Sequence, residues 1–145
     1  MTSRRAAIAA GAWCVVFGAV HVYWALGGRA GLGTSVADAD EAFSTPWFWA
    51  YNAAVALLSI GGAIVAAATS MGIPPRTARR LRGLSRVAGG VLLVRGGLGT
   101  VLLLVDLVAG GLESMPAPVL VAVEPGFVLG GLAFTAVGRA GRAAK

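Results

Sequence analysis

Apolar positions in this chain neither alternate nor form a one-sided stripe. They come in unbroken runs of roughly membrane-crossing length, about 20 residues each. Four such runs are read, over about 6–27, 46–70, 87–111 and 117–138. The pattern predicts an all-α, integral membrane four-helix bundle, with residues 1–145 as a single transmembrane domain. The first run extends from Ala6 to Leu26 and ends in Tyr23 and Trp24. It exceeds the apolar core of about 7–15 residues in a cleaved leader and reads as a permanent span. Ser44, Thr45 and Pro46 resemble a cap and first-turn proline for the second span, Pro74 and Pro75 close it, and Pro116 and Pro118 open the fourth.

Composition sharpens this picture. The chain is 57% hydrophobic and 12% charged, outside the range of a soluble domain. Its net charge of +6 does not indicate nucleic acid, because the basic residues sit in connectors between apolar runs. Ten of the twelve fall on one side. Arg4 and Arg5, then Arg76, Arg79, Arg80, Arg82 and Arg86, then Arg139, Arg142 and Lys145 share that side, opposite Asp38, Asp40, Glu41 and Glu113. Cytoplasmic loops are enriched in Lys and Arg, so both termini are expected in the cytoplasm of a multi-pass plasma-membrane protein. Cys14 is the single cysteine, which excludes an internal disulfide and a thiolate zinc site.

Glycine pairs such as Gly61-Gly62, Gly89-Gly90, Gly96-Gly97 and Gly130-Gly131 predict close helix packing. Gly126 and Gly130 have the spacing of a dimerisation motif, which carries little weight in so glycine-rich a chain.

Ionisable groups within spans are costly in lipid and mark candidate chemistry. These are His21, Arg95, Asp106 and Glu124. From the span ends, His21, Asn52, Asp106 and Glu124 are expected to form one polar layer in the outer half, around a shared cavity. Tyr23, Trp24, Trp47, Trp49 and Tyr51 would lie near its mouth or belong to the interfacial aromatic belt. Arg95 is expected deeper, on the face of Asp106 with Gly99 and Leu102 between. Pro125 removes a backbone donor beside Glu124 and predicts a kink.

The layer suggests a site for an apolar, isoprenoid-like or lipid-like molecule. Glu124 or Asp106 would be the acid of a cofactor-free isomerisation or cyclisation, and His21 would orient it or accept a proton. Asn52, Tyr23, Trp24, Trp49, Tyr51 and Arg95 would contact substrate. No ligand spacing supports a metal, and no cofactor motif is present. The alternatives are a small proton-coupled transporter, which would be a homo-oligomer, and a non-enzymatic membrane assembly subunit. The expected partners are the lipid bilayer and an apolar small molecule.

HVYWALGG at His21–Gly28 and EPGFVLGG at Glu124–Gly131 resemble the opening and closing motifs of a family of small bacterial four-span membrane proteins, catalogued only as a domain of unknown function. The resemblance covers essentially the whole chain, and its first motif is the more specific. It implies the same four-helix layout and no defined activity. A looser likeness, of architecture and buried acids alone, is to sterol isomerases and meroterpenoid cyclases.

Overall fold

A computed structural model describes residues 3–32, 35–71, 73–110 and 118–140. Five helices form: α1 Ser3–Ala25, α2 Val36–Ser44, α3 Phe48–Thr69, α4 Pro75–Gly110 and α5 Pro118–Arg139. All except α2 are long and apolar enough to cross a membrane. The expectations for Glu113, Pro116, Arg142 and Lys145 lie outside the described residues.

Three features depart from the sequence reading. α4 is 36 residues long and begins at Pro75, so Arg76 to Arg86 occupy its first turns rather than a connector. Pro75 thus opens a helix, where its fixed φ and missing N–H fit the first turn. Second, the stretch before α3 contains the short helix α2. Ser35 Oγ accepts the Asp38 N–H while the Asp38 carboxylate accepts the Ser35 N–H, a capping box. Third, Thr45 ends α2 instead of opening α3, whose N-cap is Trp47 with no side-chain cap. Arg29 pairs with Asp40 and lies over the Phe43 ring, holding α2 to the preceding turn. Ser35→Ala is expected to cost α2 about 1 kcal/mol, read as faster amide exchange confined to residues 36–44.

The spans pack as two antiparallel pairs, α1 with α3 and α4 with α5, joined mainly through α1 and α5. Around the bundle the order is α3, α1, α5, α4; α3 and α4 meet sparsely and α1 and α4 are not neighbours. Because α1 and α5 are also antiparallel, Trp13 facing Gly126 and Gly130 while Phe17 faces Phe127, the described beginning and end of the chain lie at one end of the bundle. α2 lies at the other.

Both pairs are built on positions spaced seven apart, mostly small residues; seven residues are about two helical turns, which returns them to the same face. In the first pair these are Ala7, Cys14 and His21 on α1 and Asn52, Ser59 and Ala66 on α3, all buried. In the second they are Gly89 and Gly96 on α4, and Glu124, Gly131 and Gly138 on α5. A Cβ at Gly89 would lie 2.8 Å from the Thr135 amide nitrogen and 3.0 Å from the Gly131 carbonyl oxygen, so backbone approaches backbone directly. Gly90 and Gly97 meet nothing, so only one member of each of those pairs serves the packing.

The core sits toward the termini: Ala6, Ala10, Cys14, Ala66, Phe134 and Val137 are buried there, with Ala88 and Leu92 packed against them. Ala88, Leu92, Arg95, Gly99, Leu102 and Asp106 follow one stripe of α4 at helical spacing. Its first two members pack on the core, while Arg95, Leu102 and Asp106 are exposed. Toward the α2 end this stripe of α4 is therefore left uncovered.

Candidate functional site

On α1, α3 and α5 the seven-residue series ends, toward α2, in a polar residue. On α1 and α3 the last members are His21 and Asn52, and their side chains meet: Nδ1 lies 2.7 Å from Oδ1. The Asn52 amide is oriented by its own helix, since Nδ2 donates to the Phe48 carbonyl at 2.9 Å. Both residues are buried, His21 to 5% exposure.

On α5 the last member is Glu124, and its partner is Arg95. Nη1 donates to Oε2 at 2.5 Å and Nη2 to Oε1 at 2.8 Å, a bidentate pair. Gly99 makes room for it, because a Cβ there would occupy the space of the Glu124 carboxylate and the Arg95 guanidinium. α5 remains helical through Pro125, one residue beyond Glu124. The Glu124 side chain is 14% exposed, but that of Arg95 is 52% exposed.

An aromatic row connects the two pairs. The His21 ring meets Phe17 edge-on at 4.7 Å, Phe17 meets Phe127 at 5.0 Å, and the Arg95 guanidinium stands over Phe127 at 5.0 Å. Trp13 stacks on Phe17 at 4.7 Å and donates Nε1–H to the Gly126 carbonyl at 2.7 Å. The Trp13 ring fills the place a Gly130 side chain would take. Gly130 thus seats an aromatic ring of the same chain.

The expected polar layer accordingly divides. His21 binds Asn52, and Glu124 binds Arg95 rather than His21 or Asn52. Arg95 is level with Glu124 and not deeper, because the α4–α5 pairing sets Gly96 against Glu124 and Phe127. Asp106 joins neither pair and has no bonded partner among the described residues. Pro118 begins α5 while α4 continues to Gly110, which leaves Asp106 on the overhanging part of α4. Of the expected aromatic residues, Trp24 and Tyr51 meet the His21 ring at 5.2 and 5.9 Å. Tyr23 and Trp24 also hold the turn after α1: the Tyr23 hydroxyl accepts from the Ala30 amide, and Trp24 Nε1 donates to the Ala30 carbonyl. Trp49 packs on Phe43 and Phe48, Trp47 on Tyr51.

Trp13, Phe17 and Phe127 were missed as site residues. For Trp13 and Phe17 a signal was present: Trp13, Phe17, His21 and Trp24 recur at helical spacing on one face of α1. A separate groove of about 300 Å³ runs between α1 and α3, with Cys14, Gly18, Ala56 and Ser59 in its lining and Val15 and Ile64 at its sides. None of the expected site residues line it. No group of three or more His, Cys, Asp or Glu side chains suited to a metal occurs among the described residues.

The family model described as "Protein of unknown function (DUF3995)" matches residues 14–134. No curated protein and no solved structure matches the chain.

Proposed function

Starting from a chain that belongs to the DUF3995 family, we propose a membrane-embedded binding protein for an apolar, lipid-like or isoprenoid-like molecule bearing a neutral oxygen acceptor. The observation that carries this reading is Arg95: half exposed within a span, on the α4 stripe left uncovered toward the α2 end. A guanidinium has five N–H donors, and Glu124 takes two of them. Unmet donors facing hydrocarbon are costly, so this position favours a molecule that brings an acceptor to it. Glu124 already balances the charge. An anionic head would add an uncompensated charge in a low dielectric, whereas a carbonyl, ether or hydroxyl oxygen would not. Phe17 and Phe127 offer the apolar body aromatic surface beside that head.

An acid-catalysed isomerase or terpenoid cyclase would need a carboxyl with a proton to give. Both Glu124 oxygens accept guanidinium N–H groups. Asp106, on the same stripe and without a bonded partner among the described residues, is the better candidate acid for such a step.

Native mass spectrometry of gently solubilised protein tests the binding reading. The unaltered chain is expected to retain an apolar adduct of defined mass. Arg95→Met combined with Glu124→Met keeps the charge balanced and should reduce adduct occupancy about tenfold, the loss of one charged hydrogen bond of roughly 1.4 kcal/mol. A folded double variant that retains the full adduct would remove Arg95 from the reading. Proton-driven substrate flux in proteoliposomes would favour a transporter instead, and a tightly bound membrane protein without any small molecule would favour an assembly subunit.

A further inference from the structure

The bonding of Asn52 fixes more than a helix contact. Its Nδ2 is committed to the Phe48 carbonyl, so the atom facing His21 is Oδ1, which only accepts. The proton in the 2.7 Å contact must therefore be on His21 Nδ1. In the neutral ring this leaves Nε2 as a lone-pair acceptor. His21 makes no second hydrogen bond among the described residues. Around the imidazole stand Phe17, Trp24 and Tyr51, with centroids at 4.7, 5.2 and 5.9 Å. A ring that is 5% exposed, held in one tautomer and boxed by aromatic rings, presents an acceptor whose energetic need is a donor.

We infer that His21 Nε2 is a recognition point for a hydroxyl group on an apolar molecule, the O–H donating to Nε2 while the aromatic box covers the adjoining carbons. This rests on the reading of the bundle as a binder of apolar molecules, but not on Arg95. It names the chemistry of a second pole: Arg95 donates and His21 accepts. A hydroxyl suits the site better than an ammonium group, because a neutral donor brings no charge into the box. Asn52 acts as the positioning residue.

The seven-residue series gives the His21–Asn52 pair a packing role as well, so the test must respond to the hydroxyl itself. His21 is the single histidine of the chain, and selective ¹⁵N-histidine labelling of the unaltered protein in lipid nanodiscs reports on it alone. Farnesol and its methyl ether serve as probes, equal in apolar body and differing in the donor. The expected spectrum is that of the Nδ1–H tautomer, with the Nε2 resonance moving to its hydrogen-bonded position on addition of farnesol and remaining in place with the ether. Farnesol should bind roughly fivefold to tenfold more tightly than the ether, a preference abolished by His21→Phe. An Nε2–H tautomer, or identical responses to the two probes, would overturn the inference. Equal binding of both probes by the unaltered chain would leave the binding reading standing without this pole, whereas binding of neither, with no native adduct, would remove both.

Discussion

Glu124→Leu is expected to destabilise the folded chain by about 2.5–3.5 kcal/mol, the cost of placing an unpaired arginine within a membrane helix. The measurement is reversible unfolding in mixed micelles, followed by helicity. The loss should be asymmetric. Removing Glu124 leaves a guanidinium that cannot shed its charge, whereas Arg95→Met leaves a carboxyl that can take up a proton and become neutral. Arg95→Met is therefore expected to cost less than Glu124→Leu, and the two together less than Glu124→Leu alone, since no charge then remains to be desolvated. Small losses at both single variants would mean that the bidentate pair of 2.5 and 2.8 Å is exposed to water and contributes little.

The second large effect belongs to Gly131. A Cβ there would stand 2.9 Å from the Leu93 amide nitrogen and 3.0 Å from the Gly89 carbonyl oxygen. Backbone atoms cannot move aside as a side chain would, so Gly131→Val must push α4 and α5 apart along the seam. Overpacking of this kind costs about 1–3 kcal/mol, and a backbone clash belongs at the upper end. Separation would also take Gly96 away from Glu124 and weaken the Arg95 pair, so the loss of native adduct should accompany the loss of stability. Gly97→Val provides the control: nothing lies within 4 Å of its Cβ position, and its stability is expected to match the unaltered chain within about 0.5 kcal/mol. A similar loss at both positions would mean that backbone freedom, rather than interhelical contact, determines the effect.

The spans were legible because lipid-crossing helices need length and apolarity, and both are local properties of the chain. Their ends were less so. α4 starts at Pro75 because a helix continues through arginines once Pro75 supplies a first turn, while a hydropathy reading begins only where the charges stop. The capping box at Ser35 and Asp38 was readable, but nine residues of modest apolarity are passed over when the chain is read for membrane-length runs. His21, Asn52 and Glu124 stood out as polar residues in apolar runs. Trp13, Phe17 and Phe127 did not, because aromatic residues within a span are ordinary until a neighbouring ring shows what they contact.

By itself, the sequence determined that this is an all-α membrane protein with four spans, that small residues line its helix faces, and that a few polar side chains are carried into the apolar interior. Which of those side chains meet was decided only by the tertiary structure. Depth along a span places a residue in a layer, but a bond also requires the right face and the right neighbouring helix. The seven-residue registers of α1 against α3 and α4 against α5 set those faces, pairing His21 with Asn52 and Glu124 with Arg95 and leaving Asp106 outside both pairs. A shift of one residue in either register would turn these side chains by about 100° and dissolve the pairs while leaving the hydropathy pattern unchanged.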